Sequence, residues 1–400
     1  STMRKYMSIK QKIGIIAEYN PFHNGHLYQI EMIKKQFDVD LIVAVISGDY
    51  VQRGEISSID KWQKTGIILQ NGVDLVVELP LYFSIQNAEV FSSQSVKILE
   101  YLEIDMQIFG AEEENIIRLE SIVNIQETDN YQLSVKEYIK LGNDYNKAQL
   151  LTLNDYELSD VMKSNNILGL EYIRARIKNK FNINQEIIKR EKVEYNELQE
   201  VENISSATYI RTLMENGEYR KIKKLVPKET YESVISNFNK MPNKELIFQL
   251  FKYKFLTSKK QSILNIYDMD KDIYNRISKY LINANKSEDF FSNIESRNYS
   301  KRRMHRVLMN TLLNIENDVL DQFTKAENQY VRILGFNEKG QQHIKKLQRN
   351  GKNIFVNWKD IEKSKKGEIN KEAIKIEKNG FLIKEILLNK KEQLNPIVIK

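Results

Sequence analysis

Four short apolar runs, each followed by a stretch of helical spacing, open this chain and limit what it can fold into. "KIGIIAEY" (12–19), "DLIVAVISG" (40–48), "DLVVELP" (74–80) and "MQIFGAEEE" (106–114) are the length of buried strands, and the longest apolar run, "LIVAVI" (41–46), falls far short of the ~18–20 residues a membrane span needs. Between them, 26–37, 60–69 and 88–102 set apolar residues three and four apart, with Asp60 placed as an N-cap. Buried strands alternating with helices predict an α/β fold, a Rossmann-like parallel sheet covered on both faces. Ligands in such sheets bind at the carboxyl ends of the strands. Those ends read "EYNPFHNGH", "SGDYVQRGE", "ELPLYFSIQNAE" and "FGAEEE", each more polar than a plain connector.

Beyond residue 114 the pattern turns helical. "KSNNILGLEYIRARIKNKF" (163–181) predicts an amphipathic helix, "EIIKREKVEY" (186–195) a last strand, and "ISSATYIRTLMENGEY" (204–219) a helix opening on Ser and Thr. Pro227 and Pro242 punctuate further helix to about residue 322. The final 70 residues mix strand-like runs ("NIFVNW", "GFLIKEILL") with Lys-rich helix. The expected division is an α/β domain over 10–211, a helical domain over 212–325 and a small, separate, basic α+β module over 326–400.

Charge is unevenly spread. The chain carries +7, but residues 331–400 hold 17 Lys+Arg against 8 Asp+Glu, so the remainder is close to neutral. A basic C-terminal portion fits a polyanionic partner such as nucleic acid. Cysteine is absent, which excludes disulfides, thiolate metal sites and Cys nucleophiles. The first two residues read as a remnant ahead of a native start at Met3. With no signal peptide or membrane span expected, the expected location is the cytoplasm.

Two of the four histidines, His23 and His26, lie in "AEYNPFHNGHLYQ" (17–29), directly after the first strand. Pro21 restricts Asn20 to an extended turn, and Gly25 permits close backbone approach or an unusual dihedral. A helix start then presents unpaired N–H groups, a natural phosphate site to which two imidazoles add donors. A metal pair is disfavoured because no partner ligands stand nearby in sequence. In "SSATYIR", Ser206, Thr208 and Arg211 at another helix start suit further phosphates. Ser47, Gly48, Gln52 and Arg53 of "SGDYVQRGE" sit where a small carboxylate or a base could bind, with Arg53 the cation an anion needs. "KRRMHRVLMN" (301–310) clusters Lys301, Arg302, Arg303, His305 and Arg306 on a helix, a pattern that fits nucleic-acid phosphates.

The strand, the turn "AEYNPFHNGH" and the helix resemble the His-x-x-His signature of the nucleotidyltransferase superfamily, with Ala17 where a glycine is usual. "SSATYIR" resembles that superfamily's second motif, with Ala207 where a serine is usual. Together with "ISGDYVQRGEISSIDKWQK", "GVDLVVELP", "FGAEEE" and "SNNILGLEY", in this order, they resemble the bacterial tRNA(Met) cytidine acetate ligase family. The resemblance implies ATP as cofactor, with Mg²⁺ on its phosphates, and acetate and elongator tRNA(Met) as partners. Acetyl-adenylate and pyrophosphate form first, and the acetyl group then passes to the exocyclic amine of the wobble cytidine. It also implies catalytic roles for His23 and His26. ATP contacts would come from Ile16, Ala17, Glu18, Tyr19, Asn20, Pro21, Phe22, Asn24, Gly25, Leu27, Tyr28 and Gln29, and from Gly110, Asn165 (or its neighbour Asn166) and Arg190. "FGAEEE" departs from the family in having Ala111 where a serine is expected. Two other readings stay open: an adenylyltransferase making a nucleotide cofactor of the NAD or dephospho-CoA type, and a non-catalytic tRNA-binding protein on this scaffold.

Overall fold

A computed structural model describes residues 10–161, 166–189, 206–237, 242–296, 299–326, 330–364 and 370–399. The predicted alternation is present as β1 (Gln11–Ala17), α1 (Asn24–Gln36), β2 (Val39–Ser47), α2 (Lys61–Gln70), β3 (Leu75–Leu79), α3 (Ala88–Tyr101) and β4 (Met106–Ala111). Asp60 caps α2, accepting from the N–H groups of Trp62 and Gln63. Helix α4 (Ile167–Asn179) leads into β5 (Asn184–Lys189), and Ser206 caps α5 (Ala207–Glu215). Further on, α6 (Lys301–Leu313) is followed by β6 (Val331–Phe336), β7 (Ile354–Phe355), α7 (Lys371–Leu388) and β8 (Ile397–Val398).

The sheet runs β8-β6-β3-β2-β1-β4-β5, with β7 pairing onto β6. All neighbours are parallel except β3 and β6. Strand residues alternate between two cores, as a pleat of period two requires. Ile13, Ile15, Ile42, Ala44, Ile46, Val76, Ile108 and Leu334 face α1, α2, α5 and the helices as far as Val234. Val43, Val45, Leu75, Val77, Phe109, Val331 and Ile333 face α3, α4, α6 and α7. Both faces are therefore covered, which is why these strands are apolar throughout rather than alternating with polar residues.

The C-terminal portion departs from expectation in two ways. Residues 331–336 do not stand apart: all six are buried, and β6 is laid antiparallel against β3, extending the main sheet. "GFLIKEILL" is helical rather than strand, because Ala373, Ile376 and Ile383 fall on one face of the 18-residue α7, which Asn370 caps. Residue 212 is no break either, since Leu213, Met214, Leu225 and Val234 pack on the same sheet face as α1 and α2.

Six charged side chains lock this segment in place. Lys61 of α2 contacts Glu78 of β3 and Glu392, each at 2.9 Å; Arg332 of β6 contacts Glu78 at 3.2 Å and Glu392 at 2.9 Å; Lys384 of α7 contacts Asp49 at 2.8 Å. Three cations thus balance three carboxylates. The Arg332 guanidinium also lies over the rings of Trp62, Trp358 and Phe381, 5.0 to 5.5 Å from their centroids. Burial alone would raise the Asp49 carboxyl, but Lys384 and Lys61 hold it well below the ordinary carboxylate range. Glu377, which accepts from the Leu81 N–H, is pushed up to about 8 by burial and by Glu78. It is therefore neutral over most of the physiological range and leaves the charge balance intact.

Candidate active site

The chain leaves β1 through Tyr19 in the left-handed region (φ +47°) and a cis Asn20–Pro21 peptide. Asn20 is buried, and its side-chain carbonyl accepts from the Ser58 N–H at 2.8 Å and the Ser58 hydroxyl at 2.7 Å, which pins the turn. His23 is the N-cap of α1. Its Nδ1 accepts from the Gly25 N–H at 3.1 Å, while its own N–H donates to Nδ1 of His26 at 3.2 Å. This is a capping box built from two imidazoles. A neutral imidazole whose Nδ1 accepts carries its proton on Nε2, so the same bonds make both rings Nε2–H donors. The rings stack with centroids 3.6 Å apart, and Tyr19 and Phe22, both buried, pack against His26. Gly25 is in the first helical turn and outside the positive-φ glycines, so no unusual dihedral demands it.

"SGDYVQRGE" is a β-hairpin rather than an open loop. Tyr50–Val51 pairs antiparallel with Glu55–Ile56 around a turn at 52–54. The Gln52 N–H donates to Glu18 Oε1 at 2.6 Å, and Arg53 donates through Nη2 to the Thr208 hydroxyl at 3.0 Å. Arg211 also donates to that hydroxyl (3.2 Å) and to the main-chain oxygen of Asn20 (2.6 Å). The His turn, the hairpin tip and the start of α5 therefore meet at the carboxyl ends of β1 and β2. Burial raises the Glu18 carboxyl, opposed by Lys64, Arg211 and Arg53. Lys64 is 1% exposed, and its ammonium donates to the carbonyls of Glu18, Ser47 and Gly48 at 2.8 to 3.1 Å. It ties the ends of β1 and β2 together. Charged residues in a helix read as surface, so the sequence alone does not flag it.

Other expected site residues are placed differently. Ser47 is fully buried, and a Cβ on Gly48 would stand 2.2 Å from Glu78 Oε1, so that glycine makes room for the ion cluster. The end of β3 is roofed by α7: Gly380 abuts Leu81, and its carbonyl accepts from the Tyr50 hydroxyl at 2.6 Å. Gly110 lies near the end of β4. Asn165 and Arg190 lie outside the described residues. Asn166 accepts from the Glu112 N–H at 2.9 Å and donates to the Val161 carbonyl at 2.8 Å, so its amide joins α4 to the end of β4.

On α6, Lys301 and Arg302 are exposed. Arg303 is instead held by Asp268 through bonds of 2.8 to 3.2 Å, which takes it out of a free phosphate cluster. His305 stacks on Phe291 at 3.8 Å, and burial lowers it to about 4, so it carries no charge at neutral pH. Its folded pKa of about 4 lies below its ordinary 6.5. As pH falls below that ordinary value the unfolded chain binds the proton first. The stabilisation is therefore complete above pH 6.5 and lost towards pH 4, by on the order of 3 kcal/mol. His305→Phe, which keeps the stack, is expected to flatten this acid slope in urea melts. An unchanged slope would assign the acid sensitivity elsewhere.

The model of the HIGH Nucleotidyl Transferase family matches residues 10–394. A tRNA(Met) cytidine acetate ligase of Fusobacterium nucleatum is 35% identical, over 97% of this chain and 98% of its own length. This chain belongs to the tRNA(Met) cytidine acetate ligase family. A second ligase of the family, from Clostridium acetobutylicum, is 36% identical over 84% of this chain and 87% of its own length. Among solved structures, Thermotoga maritima TmcAL in its apo form superposes with a TM-score of 0.88 at 26% identity, over 97% of this chain and 99% of that one. The same Thermotoga protein bound with alpha-thio ATP gives a TM-score of 0.86. The family match runs through β6, β7 and α7 as well as the first sheet strands, so the ion cluster with Glu392 is within the region shared with the family.

Proposed function

We propose that this chain is an ATP-dependent tRNA acetylating enzyme. It activates acetate as acetyl-adenylate, releases pyrophosphate, and then acetylates the exocyclic amine of the wobble cytidine of elongator tRNA(Met) in the cytoplasm. The observation that carries the reading is the fixed pair of imidazoles at the start of α1, set beside Arg53, Thr208 and Arg211. In the first step an acetate oxygen attacks the α-phosphorus, the bond from that phosphorus to the bridging oxygen breaks, and pyrophosphate departs with the electron pair. Charge grows on the leaving group, so preorganised donors are the main catalytic device, each worth ~2.7–4 kcal/mol of barrier. His23 and His26 would supply Nε2–H donors there, and the rest of 16–29, with Gly110, would hold the nucleotide. Ser206 and Thr208 line the phosphate end.

Among the described residues no group of three or more His, Asp or Glu is placed to hold a metal. Mg²⁺ would come to the site on the ATP phosphates, where it would offset their charge. In the second step the cytidine amine attacks the acetyl carbonyl, AMP leaves, and the nitrogen loses a proton. We assign the tRNA-facing surface to the 212–325 helices, through Lys301, Arg302 and Arg306, and to the basic positions beyond 326.

Labelled acetate, ATP and tRNA test the whole reading. Label is expected in the tRNA only when ATP is present, without acetyl-CoA. Incorporation that requires acetyl-CoA, or adenylation of a mononucleotide in place of acetate, would contradict it.

A further inference from the structure

Arg53 is placed for a task that its position in the sequence does not announce. It sits at the tip of the hairpin and reaches the Thr208 hydroxyl, which also receives Arg211. One hydroxyl thus holds two guanidiniums, and like charges at that separation repel unless an anion joins them. Among the described residues Arg53 makes no ion pair with a carboxylate; Thr208 is its hydrogen-bonding partner. Glu18 is the nearby acid; its carboxylate accepts from the Gln52 N–H at 2.6 Å, and burial raises it against the pull of Lys64, Arg211 and Arg53. A guanidinium has five N–H donors, and Thr208 takes one from Arg53. The donors left over stand beside the N-terminus of the nine-residue α5, whose dipole adds positive potential.

The mount of this arginine is rigid. Gly54 has φ +74°, and a Cβ there would lie 2.5 Å from backbone atoms of His305 and Arg306. Only glycine fits, because the hairpin tip is seated directly on the backbone of α6. From that seat Arg53 reaches the Thr208 hydroxyl at the start of α5, at 3.0 Å.

We propose that Arg53 is a direct ligand of the β- and γ-phosphates of ATP, and of the departing pyrophosphate, rather than of the acyl carboxylate. The assignment rests on the site being an adenylating one. When the bond from the α-phosphorus to the bridging oxygen breaks, the electron pair moves onto pyrophosphate. Arg53 and Arg211 then clamp its growing charge from two sides, and no proton changes hands at either guanidinium.

The test uses Arg53→Gln and Arg53→Lys in the full chain, with inorganic pyrophosphate as the calorimetric probe and acetate-dependent exchange of labelled pyrophosphate into ATP as the kinetic one. Arg53→Gln is expected to weaken pyrophosphate binding about 10-fold or more and to slow exchange about 100-fold, leaving the KM for acetate within about twofold. Arg53→Lys is expected to recover part of both losses, since a point charge replaces the fork. Gly54→Ala, which displaces the arginine without removing it, is expected to copy the pyrophosphate defect. A raised KM for acetate with unchanged pyrophosphate binding would move Arg53 to the acyl pocket and overturn the proposal, as would wild-type pyrophosphate binding in Arg53→Lys should Arg53→Gln fail to fold. Pyrophosphate binding that depends on Arg53 in a protein whose wild type shows no acetate-dependent exchange would sustain the arginine's role while rejecting the acetate reading.

Discussion

His26→Ala is expected to lower acetate-dependent pyrophosphate exchange by about 10²–10³-fold, the usual consequence of removing one preorganised donor from a developing negative charge. The substitution removes the Nε2–H, the acceptor of the His23 main-chain N–H (3.2 Å) and the ring on which the His23 imidazole stacks, leaving that imidazole held by the Gly25 N–H. The effect should therefore exceed that of a single missing hydrogen bond. The fold should survive, because a lost cap costs about 1 kcal/mol and α1 keeps Ile30 and Ile33 in the core. tRNA affinity is expected to remain near wild type, since the charged positions of α6 are untouched. Exchange within a few-fold of wild type would remove His26 from the mechanism.

Lys61→Met is expected to destabilise the protein by about 3–5 kcal/mol, the usual cost of breaking a buried ion cluster on one side. Lys61 is 1% exposed and touches Glu78 and Glu392 at 2.9 Å. Without it, three buried carboxylates face two cations. The loss should be spread through the molecule, because the cluster joins α2 and β3 to β6 and α7. Urea denaturation followed by fluorescence of Trp62 and Trp358, which flank Arg332, reports it at the cluster itself. A loss below about 1 kcal/mol would mean that the remaining pairs reorganise and that the cluster does not anchor the C-terminal portion.

What was legible in the sequence was what local patterning encodes. β1 to β4 and their helices follow from apolar runs and caps, and the two motif stretches "AEYNPFHNGH" and "SSATYIR", singled out by resemblance, meet in space through the Arg211 bond to the Asn20 carbonyl. The antiparallel insertion of β6 was not legible. Its partner β3 lies some 250 positions earlier, as in the pairing of Glu78 with Arg332, and no local period names such a partner. The hairpin was hidden because its strands are two residues long and carry no alternation to read. The ion cluster was hidden for a related reason: Lys61, Glu78, Arg332 and Lys384 are buried only because each meets the others, and each alone reads as surface. This changes the meaning of the basic C-terminal portion. Removing residues 331–399 would strip β6, β7 and β8 from the sheet and Arg332 and Lys384 from the ion cluster, so such a truncation reports on folding before it reports on tRNA.

The measurement that most directly tests the central claim is exchange of labelled pyrophosphate into ATP by the purified wild-type chain, with acetate and without tRNA. A nucleotidyl transfer site that activates a carboxylate must run this step reversibly on its own. The account predicts exchange that requires acetate and is unchanged by adding nicotinamide mononucleotide or phosphopantetheine. Exchange that is silent with acetate and driven by one of those phosphorylated acceptors would contradict it.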